Sequence, residues 1–428
     1  MQIVSQLIFA LALGAAIYTF WRNIGKIRRN ILLGKPLDRT DNQKERINTM
    51  LKVAFGQSKM VTRPLAGIMH LFVYVGFVLI NIEVLEIIID GLAGTHRVFM
   101  QPFGAVYTAA IAFFEILGAL VLIGCVVFLV RRYSGKVPRF NMRELEGWPF
   151  KDATYILVIE IVLMLALFVM NAADTHFQAH SSMPISGLIA PIFTNMDAGT
   201  AAGIERAAWW FHILGILVFL NYLPYSKHFH IILAFPNTYY SQLTPKGQFT
   251  NMESVTTEVK LMMDPSAAPP DNYEPPTSFG VKDVTDLHWK NLMDAYSCTE
   301  CGRCTSVCPA NVTGKLLSPR KVMMDTRDRL EEVGKNIDKN GQFEDDGKNL
   351  HSFISEEELW ACTTCNACAE ACPVNINPVE IIYGMRQYLV MEKSQAPTEL
   401  NGMFTNLENN GAPWQFSPSD RANWTQEV

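Results

Sequence analysis

Charge is scarce in this chain. Asp, Glu, Lys and Arg make up 18% of its 428 residues, against roughly 25% in soluble domains, which excludes a uniformly soluble protein. The charges nearly cancel, 36 basic against 41 acidic residues for a net of −5. No basic surplus exists to hold nucleic acid. A G-x-G-x-x-G fingerprint is missing, and with it the phosphate cradle that such a loop builds for flavin or nicotinamide dinucleotides. Clear apolar–polar alternation is missing from the second half, so strands are not expected there. Cysteine is not dispersed either. Eight of the nine fall between 298 and 372, with only Cys125 apart, which excludes the spread-out framework of a secreted disulfide protein.

What is present divides the chain in two. Five segments, roughly 3–21, 65–89, 104–130, 153–172 and 207–233, are apolar over the length that a bilayer requires. The connections alternate in basic residues: eleven in 22–63, one in 91–103, six in 131–152 and one in 173–206. The positive-inside rule then puts the N-terminus outside the cell inner membrane and everything after 233 in the cytoplasm. The first segment reads as an anchor rather than a cleaved signal, because its positive charges follow the apolar core. Trp209 and Trp210 fall where an outer aromatic belt would lie.

The polar half starts with a stretch, 236–286, punctuated by Pro245, Pro265, Pro269, Pro270, Pro275 and Pro276, which reads as an extended linker. A helical domain is expected over 287–395 and a tail over 396–428. Ser318-Pro319 predicts the start of a helix through RKVMMDTRDRLEEV, with Gly334 just past its end. Ser355 and Glu358 form a capping box, and Asn377-Pro378 opens VEIIYGMRQYLVMEK.

Two copies of one motif stand 64 residues apart: Cys298, Cys301, Cys304, Cys308-Pro309, then Cys362, Cys365, Cys368, Cys372-Pro373. Three thiolates at steps of three supply three corners of a cubane iron–sulfur cluster. The fourth, set before a proline, ligates the other cluster in two-cluster ferredoxins. The expected sets are Cys298, Cys301, Cys304 and Cys372 for one [4Fe-4S] cluster, and Cys362, Cys365, Cys368 and Cys308 for the other. Zinc would favour separated cysteine pairs, and a cytoplasmic face disfavours disulfides.

Histidines mark the apolar half. His212 and His230 are 18 residues apart, five turns of an unbroken helix and so on one face, unless Pro224 kinks it. His228 points away on the same reckoning. His70, six residues past Pro64, lies at the depth of His230. Two imidazoles from different helices at one depth are the axial ligands that a b-type haem requires; the plainer alternative is helix–helix hydrogen bonding. Glu83, Glu86 and Asp90 share a face of the second segment, with Glu115 and Glu160 on the third and fourth. Acids in such places read either as proton handlers at a quinone or as buried hydrogen-bonded carboxyls. His176, Gln178 and His180 are the candidate contacts for a quinone head group.

The stretch 298–390 resembles the C subunit of heterodisulfide reductases and the iron–sulfur subunits of related quinone-linked dehydrogenases, of the alpha-helical ferredoxin type. The apolar half resembles the gamma subunit of respiratory nitrate reductase and the cytochrome b subunits of heterodisulfide reductases. Those are five-helix proteins with haem ligands on the second and fifth helices. The pattern His212-x17-His230 carries that resemblance; where the family has a second histidine on the second helix, this chain has Ile80, beside Asn81. The resemblance implies haem b between His70 and His230, and a second haem on His212 only with another partner such as His176 or His180. Adjacent cysteine pairs, a mark of the catalytic subunits of heterodisulfide reductases, are missing, which leaves the substrate chemistry to a partner that the tail resembles a dock for.

The sequence therefore predicts an all-α oxidoreductase subunit: a five-helix transmembrane cytochrome b bundle over 1–235 joined to a two-cluster ferredoxin domain. It would relay electrons between a cytoplasmic partner (an electron-transfer flavoprotein or a cysteine-rich iron–sulfur subunit) and menaquinone in the lipid. Three other readings remain open: quinol oxidation driving reduction of a cytoplasmic disulfide or sulfur acceptor, a membrane anchor whose clusters are structural, and an ion-translocating unit using its carboxylates.

Overall fold

The computed structural model describes residues 2–426 apart from 182, 265, 267, 270–272 and 274–277. Pro265, Pro270, Pro275 and Pro276 of the expected linker lie outside the described residues. Helix accounts for the architecture, as expected. Among the described residues, extended backbone pairs only at an isolated bridge between Lys35 and His288.

Five helices are long and apolar enough to cross a membrane: α1 (Gln2–Ile31), α2 (Pro64–Ala93), α3 (Ala105–Tyr133), α4 (Trp148–Ala173) and α5 (Ala198–Tyr222). Helices α2 and α3 pack together, α4 lies on α3 and α5, and α1 closes against α2 and α5. Their outward surface is apolar, with Leu11, Val78, Leu85, Leu165 and Val218 exposed, while Glu83, Glu115 and Asn171 are buried. That inverts the soluble pattern and suits lipid, where backbone polar groups must be satisfied within the helix. Proline in the first turn opens α2 and α4, and Gly94, at φ 71°, closes α2. Trp209 does not join an interfacial belt. It is buried against the ring of Phe9 on α1, 5.5 Å away.

The fifth segment breaks before it reaches His230. Helix α5 ends at Tyr222, Pro224 sits in a tight turn, and Ser226 is extended at φ −122° and ψ 150°. A new helix, α6 (His230–Tyr239), then begins. Pro224 has no N–H to continue the ladder, and Asp152 of α4 ties down the segment on both sides of the break. Its carboxylate accepts from Tyr222 Oη (2.5 Å), Ser226 Oγ (2.7 Å) and Lys227 N (3.1 Å). His212 and His230 therefore sit on different helices, and their spacing sets no common face.

The polar half folds onto this end of the bundle around α7 (Trp289–Ser297), α8 (Pro319–Asn340) and α9 (Pro378–Met391). Ser318 and Asn377 cap as expected, and Ser355 with Glu358 forms the capping box. Gly334 is the exception. Helix α8 runs through it to Gly341, which takes the left-handed closing position at φ 83°. Gly334 is small for a different reason: a Cβ there would come within 2.5 Å of the Asn30 side chain of α1. Arg29 donates to Gly334 O (3.0 Å), Asn30 donates to Tyr296 Oη (3.0 Å), and Lys26 and Arg29 both grip Asp338. A continuous hydrophobic core runs from Ile27 and Ile31 through Phe219, Phe229 and Leu233 into Leu292, Val322 and Ile382. This side of the bundle is the cluster end, and the opposite side the far end.

Candidate redox centres

The two cysteine loops have the same backbone. Glu300 and Gly302 are left-handed at φ 54° and 69°, and their counterparts Thr364 and Asn366 at 54° and 58°. Each loop continues into a short helix, Arg303–Val307 or Ala367–Ala371. Each closes on an extended cysteine, Cys308 at ψ 117° and Cys372 at ψ 124°, the conformation that a following proline enforces. The short helices pack on each other, which carries each fourth cysteine across to the opposite loop.

Two sulfur neighbourhoods result. Cys298, Cys301, Cys304 and Cys372 line one cavity, with Cys368 also on its wall. Cys368 in turn lies close enough to Cys362, Cys308 and Cys365 to feel their charge. Among the described residues, no three His, Cys, Asp or Glu side chains converge tightly enough for a single metal ion. Sulfurs ringed around a space suit a polynuclear cluster better than they suit zinc. Burial pushes the Cys298 and Cys368 thiols up to about 12 and the Cys372 thiol up to about 11. Ligation as thiolate would accordingly release protons. Backbone N–H groups of Val374 and Ile376 aim at the Cys372 sulfur, the kind of bond that tunes a cluster's potential.

The first loop is pressed against the cluster end of the bundle. Arg139 Nε donates to Cys301 O (2.9 Å), Arg303 to Lys59 O (2.8 Å), and Arg63 to Ser306 Oγ (2.7 Å). Buried Glu300 pairs with Lys227 and, at 2.8 Å, with Arg327. Helix α6 reaches the same neighbourhood, with Asn237 Nδ2 donating to Val374 O (2.9 Å), two residues past Cys372. The second loop is more open, and Cys365 is exposed.

His70 and His230 meet at the cluster end, ring centres 6.4 Å apart and planes inclined by 41°. Two imidazoles sharing one iron through bonds of about 2 Å would hold their ring centres roughly 6 Å apart, so the pair fits a haem iron. His230 Nδ1 bonds Lys227 O at 3.0 Å, the arrangement that leaves Nε2 for a metal. His70 Nδ1 is buried without a partner among the described residues. His228, which the unbroken-helix reckoning turned away, lies 5.5 Å from His230 and perpendicular to it.

The structure does not bring the remaining histidines together in the same way. His212 is buried in mid-bundle with Nδ1 on Leu163 O (2.9 Å). His176 and His180 lie with ring centres 4.9 Å apart and planes inclined by 37°, in exposed positions at the far end. Gln178 there donates to Asn171 O (3.0 Å) and Ser186 Oγ (2.7 Å). Sequence reasoning passed over Lys227, Glu300 and Arg139, which join the two halves. The signal for Lys227 was a lone basic residue directly before His228 and His230.

Residues 297–376 match the 4Fe-4S dicluster domain, a family of two-cluster proteins. Over its whole length the chain is 30% identical to "Probable iron-sulfur-binding oxidoreductase FadF" of Bacillus subtilis (strain 168), covering 61% of that protein. Over 96% of its length it is 27% identical to "EtfAB:quinone oxidoreductase" of Syntrophomonas wolfei, covering 58% of it. A shorter match, 32% identical over 24% of this chain and 52% of the relative, is with the C subunit of a ferredoxin/F420H2-dependent CoB-CoM heterodisulfide reductase from Methanosarcina acetivorans. The chain thus spans about three-fifths of the length of the first two relatives. No solved structure matches it. The chain is related to iron–sulfur oxidoreductases and carries a two-cluster iron–sulfur domain beside five helices of membrane-spanning length.

Proposed function

We propose that this protein is a membrane electron-transfer subunit linking a cytoplasmic redox partner to the quinone pool. When bound, two [4Fe-4S] clusters and one haem b would supply one-electron carriage between them. Cys362, Cys365, Cys368 and Cys308 hold the cluster on the partner's side, where Cys365 reaches the surface. Cys298, Cys301, Cys304 and Cys372 hold the one against the bundle, and His70 and His230 hold the haem. The positive-inside asymmetry supports a cytoplasmic cluster end in an inner membrane.

Lys227 carries this reading. Its carbonyl accepts from His230 Nδ1 and its ammonium pairs with Glu300, inside the Cys298–Cys301 loop, so one residue fixes both candidate centres in a common frame. The name of the Syntrophomonas relative supports an electron-transfer flavoprotein as donor and quinone as acceptor. The heterodisulfide reductase relative supports a disulfide as the partner's substrate, and in the alternative reading quinol would drive its reduction. His176, Gln178 and His180 at the far end are the proposed contacts for the quinone ring.

Protein purified anaerobically, reduced with dithionite and then given a menaquinone analogue should show haem absorption bands that reoxidise. Haem that stays reduced, or a preparation without haem, overturns the proposal.

A further inference from the structure

Among the described residues, Asp90, Glu86 and Glu115 at the far end are held by hydrogen-bond donors, Glu205 has Arg206 at 3.6 Å, and Glu83 has neither. Asp90 accepts from Thr95 Oγ1 (2.5 Å), Arg97 N (2.7 Å) and Val98 N (3.1 Å). Glu86 accepts from Phe99 N (2.9 Å) and Tyr107 Oη (2.7 Å). Glu115 accepts from Asn171 Nδ2 (3.1 Å) and from the backbone N–H groups of Ile185 and Ser186, each at 3.0 Å. Arg97 pins the cluster by donating to Asp174 (2.7 Å), Asn171 (2.9 Å) and Tyr107 Oη (3.1 Å). Glu83, one turn deeper than Glu86, is 4% exposed, and neither carboxyl oxygen has a partner among the described residues.

A donor-free carboxylate is costly in a medium without water. The groups near enough to act on Glu83 by charge are Glu86 on its own helix, Arg97 in the α2–α3 connection and Glu115 on α3. Glu86 and Asp90 continue its face outward, at i+3 and i+7. The connection that closes over them carries His96, whose half-exposed ring meets Asp174 at 3.2 Å. The arrangement is a line of exchangeable groups from the surface to an interior carboxyl with nothing bonded to it.

We propose that Glu83 is the inner end of a proton-exchange route running through Glu86 and Asp90 to the far-end surface, and that its partner is a quinone oxygen. This deepens the quinone reading above and rests on it. In the direction of quinone reduction, two electrons arrive from the reduced donor at the cluster end. The Glu83 carboxyl gives its proton to one quinone oxygen, breaking its own O–H bond as the quinone O–H forms. The carboxylate is reprotonated along the route before it supplies the second oxygen. Quinol oxidation runs the same steps backwards. Arg97, permanently charged, holds the line in place and carries no proton.

The test uses the full chain with clusters and haem, in lipid vesicles containing a menaquinone analogue, with dithionite as reductant. Glu83→Gln should leave the haem spectrum unchanged, slow haem reoxidation at least ten-fold, and delete a protonated-carboxyl band from the infrared difference spectrum of quinone reduction. Glu83→Asp should restore part of both signals, which guards against a misfolded amide variant. Transfer of wild-type protein to deuterium oxide should shift that carboxyl band within a turnover time, and Tyr107→Phe should delay the shift. Wild-type rates and an intact band in Glu83→Gln overturn the inference, as does a band that fails to exchange with deuterium. Should quinone leave the wild-type haem reduced, the electron-transfer reading fails instead, and deuterium exchange of the carboxyl band in the wild-type-minus-Glu83→Gln infrared spectrum, taken without quinone, still reports on the route.

Discussion

The loops Cys298–Cys308 and Cys362–Cys372 are backbone copies in different surroundings. Left-handed residues fall at matching positions and each loop ends in an extended cysteine before proline. Yet the first is locked under Arg139, Arg63 and Lys227, whereas the second touches the bundle connections through Lys59 Nζ on Glu370 O (3.2 Å) and an exposed Lys246–Glu370 pair. A cysteine motif specifies the cradle. Residues far away in sequence decide which cradle lies against the bundle and which is left open.

Removing a ligand from each loop breaks the comparison most severely. Cys301→Ser and Cys365→Ser should each cost about half of the non-haem iron and abolish electron transfer to haem, read by iron assay and stopped-flow absorbance. Air should separate them in the wild type: the cluster beside exposed Cys365 is lost first, and electron paramagnetic resonance should show the covered one persisting. Equal loss would mean that the covering contacts give no protection.

Next in size, Lys227→Met removes the shared frame while leaving all cysteines and histidines in place. Haem reduction should slow by about ten-fold, whereas Lys246→Met, at the open loop, should leave it unchanged.

A smaller effect is expected at the joint beside the first loop. Glu144 accepts from Ser318 Oγ (2.7 Å) and pairs with fully buried Arg320 (2.8 Å). Glu144→Ala removes that buried guanidinium's carboxylate partner, leaving Arg139 O to accept from it (2.7 Å), and should cost about 3 kcal/mol, measured by thermal unfolding. Burial works against the Glu144 charge, but Ser318 and Arg320 outweigh it and hold the carboxyl below its ordinary value. A depressed carboxyl gives stability that is full above its unfolded value and lost as the pH falls through its folded one. Wild-type stability should therefore drop below about pH 4, and Glu144→Gln should flatten that drop.

The smallest effect sharpens the contrast. Thr364 carries a β-branched side chain in the left-handed region, so Thr364→Gly should stabilise by about 1 kcal/mol. Glu300→Gly relieves the same strain but loses Lys227 and Arg327, and should destabilise. Differential scanning calorimetry of the two variants gives both signs.

Much of this was legible in the sequence, wherever a rule depends on near neighbours. Four of the apolar segments became α1–α4 and the fifth became α5 up to its break, and Ser318, Ser355 and Asn377 start helices because capping is decided within a few residues. Long-range partners were not legible. Gly334 resembles a helix end until Asn30 is seen against it. The break before His230 depends on Asp152, 70 residues or more from the donors that it collects. The pairing of His70 with His230 followed from depth alone and meets in the structure, although the helical phase argument that accompanied it did not survive the break. The missing partners of Glu83 were beyond reach too, since a sequence does not show which acids a fold leaves unattended.

The continuous core between bundle and cysteine loops also bears on how the molecule matures. Arg29 waits for Gly334, 305 residues later in the chain, and Ile27 and Ile31 fill a core that Leu292 and Val322 share. The ends of the first and fifth helices must be inserted before that core can close. Iron delivered to the nascent loops earlier would meet an unfinished cradle. A fragment beginning at residue 287 should expose the same apolar face and associate with itself, so the loops cannot be expected to acquire their metal faithfully apart from the membrane.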